Sequence, residues 1–211
     1  MRGVVAVAIA AASVGVAARS VAIAAAPEPD PVPRRWQLDV KVGPLRVTTV
    51  DAPRIGPRTY YYLTYRVTNN SGQDLLFAPS FELATDHGER RRSGRDVPAE
   101  VTRALLERLG NPLIQDQISI LGMMLQGEEN AKDGLVIWPA NDLKADEVVI
   151  YGSGFSGESA TLEMPDPTTG QPRQVVLRKT LMVRYKLPGD LRTDVPGQRE
   201  LPPFENRWIM R

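Results

Sequence analysis

The stretch YYYLTYRVTNN, Tyr60–Asn70, constrains this chain more than any other. Tyr61, Leu63, Tyr65 and Val67 share one side of an extended backbone, and Tyr60, Tyr62, Thr64, Arg66 and Thr68 share the other, which is the period of a strand. Asn69-Asn70-Ser71-Gly72 follows as a turn, and a second apolar run, Leu75–Phe77, returns from it. With the odd-numbered side turned to a core, two tyrosines and Arg66 stand outside.

The same period recurs along the chain. It is read at Trp36–Val42, at Leu45–Val50 after the Gly43-Pro44 corner, and at Phe81–Thr85 before the His87-Gly88 turn. Further runs are Leu135–Trp138, Val148–Tyr151, Thr161–Met164, Val175–Leu187 and Trp208–Met210. Lys179 interrupts the apolar parity of Val175–Leu187 and predicts a bulge or bend there. PDPTTGQP, Pro165–Pro172, reads as a hairpin loop.

Between residues 97 and 126 the period changes. Val101, Ala104, Leu105 and Leu109 have helical spacing, with Asp96 as a cap and Gly110 as a stop. Ile114, Ile118, Leu121 and Leu125 form a second helical stripe, and the Met123, Met124 and Leu125 cluster is assigned to the core. There are 18 prolines and 17 glycines, which suit many turns. The expectation is a mainly β chain of eight or nine strands without internal repeat, an antiparallel β-sandwich carrying a two-helix insert at about 97–126.

The first residues have a different character. Arg2 precedes VVAVAIAAASVGVAA, an apolar run of about fifteen residues, which is the length of a signal-peptide core. Small residues follow, so residues 1–24 are read as a signal peptide and 25–35, rich in proline, as an extended linker. The sandwich domain is then 36–211. The protein is expected to be secreted or held in the periplasm or cell envelope, with membrane attachment only if the signal segment stays uncleaved. Cysteine is absent, which removes disulfides, thiolate metal sites and cysteine nucleophiles. Twenty-six basic residues face 25 acidic ones, so no global field draws the chain to nucleic acid.

The series YYLTYRVTNNSGQDLLFAPSFELATDHG resembles the opening half of immunoglobulin-like accessory domains in exported bacterial proteins. With EENAKDGLVIW, IYGSGFSGE, LRKTLMVRYKLPGD and the terminal RWIM, the chain from Trp36 to Arg211 resembles an uncharacterised family of exported planctomycete-type bacterial proteins. That resemblance implies an immunoglobulin-like β-sandwich and carries no functional residue with it. The cysteine pair of antibody-type domains has no counterpart here.

Several stretches invite a chemical reading. Gly152, Gly154 and Gly157 have G-x-G-x-x-G spacing, but the following Glu158–Met164 alternates and runs into Pro165 and Pro167, leaving no helix to hold a pyrophosphate. No cofactor is expected. His87 is the one histidine, and a hydrolase built on it would draw a serine or carboxylates from elsewhere. Asp133, Asp142, Asp146 and Asp166 lack the dense spacing of a calcium loop, and no metal is expected. Arg90, Arg91 and Arg92, with Arg95, read as an arginine-rich loop that offers charge-assisted grip on phosphate, sulfate or an anionic envelope polymer. Tyr60, Tyr62 and Arg66 offer an aromatic surface of the kind found at binding hot spots. Trp36, Trp138 and Trp208 have strand contexts that favour inward positions, against the flat aromatic platform of a carbohydrate-binding module. The reading is therefore a non-catalytic protein binding another protein or an envelope polymer. A histidine- and carboxylate-dependent hydrolase and a carbohydrate-binding module are the alternatives.

Overall fold

A computed structural model describes residues 27–211 apart from 34, 54–55 and 188–198. The signal-peptide reading of 1–24 lies outside the described residues. In chain order the strands and helix are β1 (Asp39–Val42), β2 (Leu45–Ala52), β3 (Gly56–Asn69), β4 (Leu75–Phe77), β5 (Ser80–Thr85), β6 (Arg90–Arg92), α1 (Ala99–Leu109), β7 (Ile114–Gln115), β8 (Gly122–Met124), β9 (Gly127–Pro139), β10 (Glu147–Ser153), β11 (Ser159–Pro165), β12 (Pro172–Lys186), β13 (Arg199–Leu201) and β14 (Pro203–Met210).

These strands build two six-stranded sheets and a two-stranded ribbon. The first sheet runs β13-β2-β3-β9-β7, with β1 on β3. The second runs β11-β12-β10-β5-β6, with β14 on β12. The ribbon is β4-β8. All pairings are antiparallel except β7 with β9. β1 and β2 form one strand bent at Gly43-Pro44, because both pair with β3, through Val42↔Tyr65 and Arg46↔Tyr62.

The sheets face each other across one core. Tyr61, Leu63, Tyr65, Val136 and Trp138 come from the first sheet, and Phe81, Leu83, Ile150, Leu181, Val183 and Tyr185 from the second. Phe155 closes one end, its ring 5.5 Å from Phe81 and 5.9 Å edge-on from Tyr65. The fold is mainly β and β-sandwich-like.

A second, smaller core lies on the other side of the first sheet. There α1 lays Val101 and Leu105 onto Val50, Tyr60, Tyr62, Leu135 and Ile137. Burying two such side chains contributes about 1.5–3 kcal/mol each. This explains why YYYL in β3 and LVIW in β9 are apolar at both parities: each is covered from both sides.

The insert holds one helix, not two. Gly110 terminates α1 in the left-handed conformation (φ 63°), as its position implied. Asp96 does not cap it: the N-cap is Pro98 without a side-chain bond, and Asp96 itself has φ 60°. Beyond Gly110, Ile114–Gln115 adds as a short parallel strand to β9. Asp116 then closes a single turn by accepting the amides of Ile118 and Ser119, and Gly122 at φ 133° breaks away from helical geometry. Residues 122–124 finish as β8, paired to β4.

Two further expectations change. Lys179 makes no bulge; it keeps its inward parity, is 3% exposed, and pairs with Glu158 at 2.8 Å. The register shift in β12 falls instead at Arg184/Tyr185 against β14. The arginine run is not a loop but the edge strand β6, placed beside β5 with Arg91 opposite Leu83.

Candidate functional site: the open face of the second sheet

With α1 over the first sheet, the second sheet keeps an outer face that no helix or strand among the described residues covers. Register fixes what stands on it, since the inward positions Leu83, Ile150 and Val183 are cross-strand neighbours and their alternates point outward. One row crosses the sheet as Arg92, Glu82, Tyr151, Met182 and Arg207. The next is Arg90, Ala84, Val149, Arg184 and Glu205.

The charges on this face are organised. Arg184 holds both oxygens of Glu147, at 2.7 and 2.8 Å, and reaches Glu205 at 2.7 Å. Those two carboxylates push the guanidinium's pKa above its ordinary range. Arg207 also meets Glu205, at 3.0 Å. At the chain end, Arg211 bonds Glu82 and stacks 4.0 Å from the Tyr151 ring centroid. Phe204 carries Arg184 at 5.1 Å and Lys186 at 5.4 Å. Met182, although on this outer side, is buried, as the row of long cationic side chains beside it explains.

The balance is positive. Arg90, Arg92, Arg178, Arg184, Lys186, Arg207 and Arg211 face four carboxylates, Glu82, Glu147, Glu163 and Glu205. Among the described residues the side chains of Arg90 and Arg92 have no hydrogen bond or ion pair, while that of Arg91, on the opposite parity, is held by Glu89 at 2.6 Å and Asp96 at 3.3 Å. Of the three consecutive arginines, then, two are presented to solvent and one is neutralised.

Other candidate residues fall elsewhere. Tyr60 and Tyr62 lie beneath α1, 2% and 0% exposed, so the expected aromatic surface is instead the floor of the second core. The Tyr62 hydroxyl is buried there without a hydrogen-bond partner among the described residues. Arg66 is neutralised by Asp133 at 3.0 Å and Glu128 at 3.3 Å. Trp138 is fully buried, and Trp36 and Trp208 pack partly buried against the main core.

His87 meets Asp142 through Nδ1···Oδ2 at 2.9 Å, and Tyr61 donates to the Asp142 carbonyl at 3.0 Å. This is an imidazole–carboxylate couple in which, among the described residues, no hydroxyl bonds His87. Among the described residues no group of three or more His, Cys, Asp or Glu is placed to hold a metal ion.

The three glycines have structural roles. Gly152 sits in β10 between Phe81 and Phe155, and a Cβ on Gly157 would lie 2.5 Å from Trp36 Nε1. Gly154 adopts φ 90° beside the Ala78 carbonyl. The chain then continues extended as β11, so no helix N-terminus follows the glycines.

No family model, curated protein or solved structure matches the chain. Sequence reasoning missed Arg184, Arg207 and Arg211. The alternation in Val175–Leu187 and Trp208–Met210, read for its outward parity as well as its inward one, carried that signal.

Proposed function

We propose that the chain is an exported, non-catalytic protein of the cell envelope or extracellular space that binds an anionic envelope polymer across the open face of the second sheet. One observation carries this reading: seven cations stand on that face against four carboxylates, and Arg90 and Arg92 have no acidic partner among the described residues. Guanidinium groups spaced along neighbouring strands match repeated phosphate, sulfate or carboxylate groups. The near-neutral composition makes this a local field, so binding is expected to weaken steeply with salt. Export rests on the apolar run Val4–Ala18 after Arg2. Two sheets around one core, antiparallel except for β7 on β9, support the immunoglobulin-like description of the sandwich.

Dextran sulfate against neutral dextran tests the reading. The wild type is expected to bind the sulfated polymer and not the neutral one. Replacing Arg90 and Arg92 by Glu should weaken that binding by about tenfold or more. Equal binding of both polymers, or an unchanged affinity in the double variant, would overturn the assignment.

The His87–Asp142 couple supports a second reading, a hydrolase with water as its nucleophile. It predicts hydrolysis that His87→Ala abolishes, whereas the binding reading predicts no effect of that change.

A further inference from the structure

Lys179 takes an inward position on β12, in line with the core residues Leu181 and Val183, and is 3% exposed. A shielded ion pair adds little stability over apolar residues of the same volume, and departures from local sequence logic concentrate at functional places. The lysine and its partner Glu158 both reach the main chain of one residue. Glu158 Oε1 accepts the Asp30 amide at 2.8 Å, and Lys179 Nζ donates to the Asp30 carbonyl at 3.3 Å. The other oxygen of Glu158 holds the lysine at 2.8 Å. Lys179 Nζ also stands 5.9 Å from the Trp208 ring centroid. Carboxylate, ammonium and indole thus form a clamp that reads both the donor and the acceptor of a single residue's backbone.

What the clamp holds is a proline-alternating stretch, PEPDPVP at residues 27–33. Each proline lacks an amide hydrogen and fixes its φ at about −65°, so the stretch is extended in advance and its only amide donors are Glu28, Asp30 and Val32. The clamp needs an amide and takes the central one, with Pro29 and Pro31 on either side. Val32 is 75% exposed, so the grip is at Asp30 and not along the whole stretch. Between the prolines and the sheet lies a cavity of 520 Å³, walled by Gln37, Arg207, Trp208, Ile209 and Met210, which gives room to the flanks of a bound segment. We infer that Lys179, Glu158 and Trp208 form a recognition site for extended Pro-x-Pro segments, filled in cis by Pro29-Asp30-Pro31. The occupant in trans is the same stretch of a second copy of the chain, identical in sequence and therefore in fit. Lys179 and Arg207 at the groove suit the acidic Glu28 and Asp30 of that stretch. Aromatic grooves take proline-rich segments because a stiff extended chain has little entropy left to lose on binding.

The probe is a labelled synthetic peptide, PEPDPVP, titrated with the purified full chain. In the wild type the cis segment competes for the clamp. A variant with residues 27–33 replaced by glycine and serine at equal length should therefore bind the peptide at least about tenfold more tightly. A second peptide, with proline in the place of Asp30, lacks the amide and should bind that variant at least about tenfold more weakly than the first. Adding Lys179→Met and Glu158→Leu to the variant should abolish peptide binding while leaving dextran sulfate binding unchanged. Equal affinity of the wild type and the glycine–serine variant would overturn the inference. So would equal affinity of the two peptides, or peptide binding that survives the changes at Lys179 and Glu158. Failure here leaves the polymer reading standing, since that reading is measured on Arg90 and Arg92.

Discussion

Lys179 Nζ lies 2.8 Å from Glu158 Oε2, the lysine side chain 3% and the glutamate side chain 12% exposed. The pair sits where β10 gives way to β11, with the Lys179 amide bonded to the Glu158 carbonyl. It also ties in the start of the described chain: the Asp30 amide donates to Glu158 Oε1, and Lys179 donates to the Asp30 carbonyl. The proline-rich stretch is therefore fastened to the sheet by a shielded charge pair.

Lys179→Ala takes the ammonium off a Glu158 carboxylate that keeps the Asp30 amide. It is expected to destabilise the chain by about 1.5–3 kcal/mol in urea unfolding, the contribution of a hydrogen bond between charged groups. The double change Lys179→Met with Glu158→Leu should recover most of the loss, since apolar residues of similar volume can replace a shielded pair. A single variant as stable as the wild type would show that water reaches the site.

Gly154→Ala should cost about 1–3 kcal/mol, because the backbone there is left-handed and the new methyl group meets a fixed carbonyl. The carbonyl is that of Ala78, 2.6 Å from the added Cβ. Nicotinamide and flavin dinucleotides should leave the melting temperature unmoved, and a clear rise with either would reverse the structural assignment of these glycines.

Asp116 links stability to pH. Burial opposes its ionisation, but the Ser119 hydroxyl and the amides of Ile118 and Ser119 outweigh burial and hold its pKa below the ordinary value. A depressed folded pKa stabilises the folded state fully above the unfolded value, about pH 4, and that contribution is lost as pH falls through the folded pKa. Urea midpoints measured downward from neutral pH should therefore fall less steeply for Asp116→Asn than for the wild type. Parallel slopes would remove Asp116 from the account.

His87→Ala should change stability by no more than about 0.5 kcal/mol, since its bond to Asp142 is a solvent-exposed one. Dextran sulfate binding should also be unchanged. Esterase, phosphatase or glycosidase activity present in the wild type and lost in the variant would favour the hydrolase instead.

Much of the fold was legible because strand parity is a local property. The core-facing set Tyr61, Leu63, Tyr65 and Val67 follows from alternation alone, as does the continuation of the chain in extended form after Gly157. Ile114–Leu125 misled for a physical reason. Spacings of three and four residues suit a helix, yet the backbone preferences of Asp116 and Gly122, together with an available partner in β4, were stronger.

The sequence by itself determined the alternating strands, the turns between them, the helix α1 and the absence of thiol chemistry, because each depends on neighbours along the chain. Only tertiary structure decided which surfaces remain open. Packing of α1 took Tyr60 and Tyr62 out of solvent, and pairing of β6 with β5 turned Arg90 and Arg92 outward and Arg91 inward. The β4-β8 pairing left Leu76 and Met123 facing water. Burial is a relation between distant segments, and a residue's own type and spacing do not contain it.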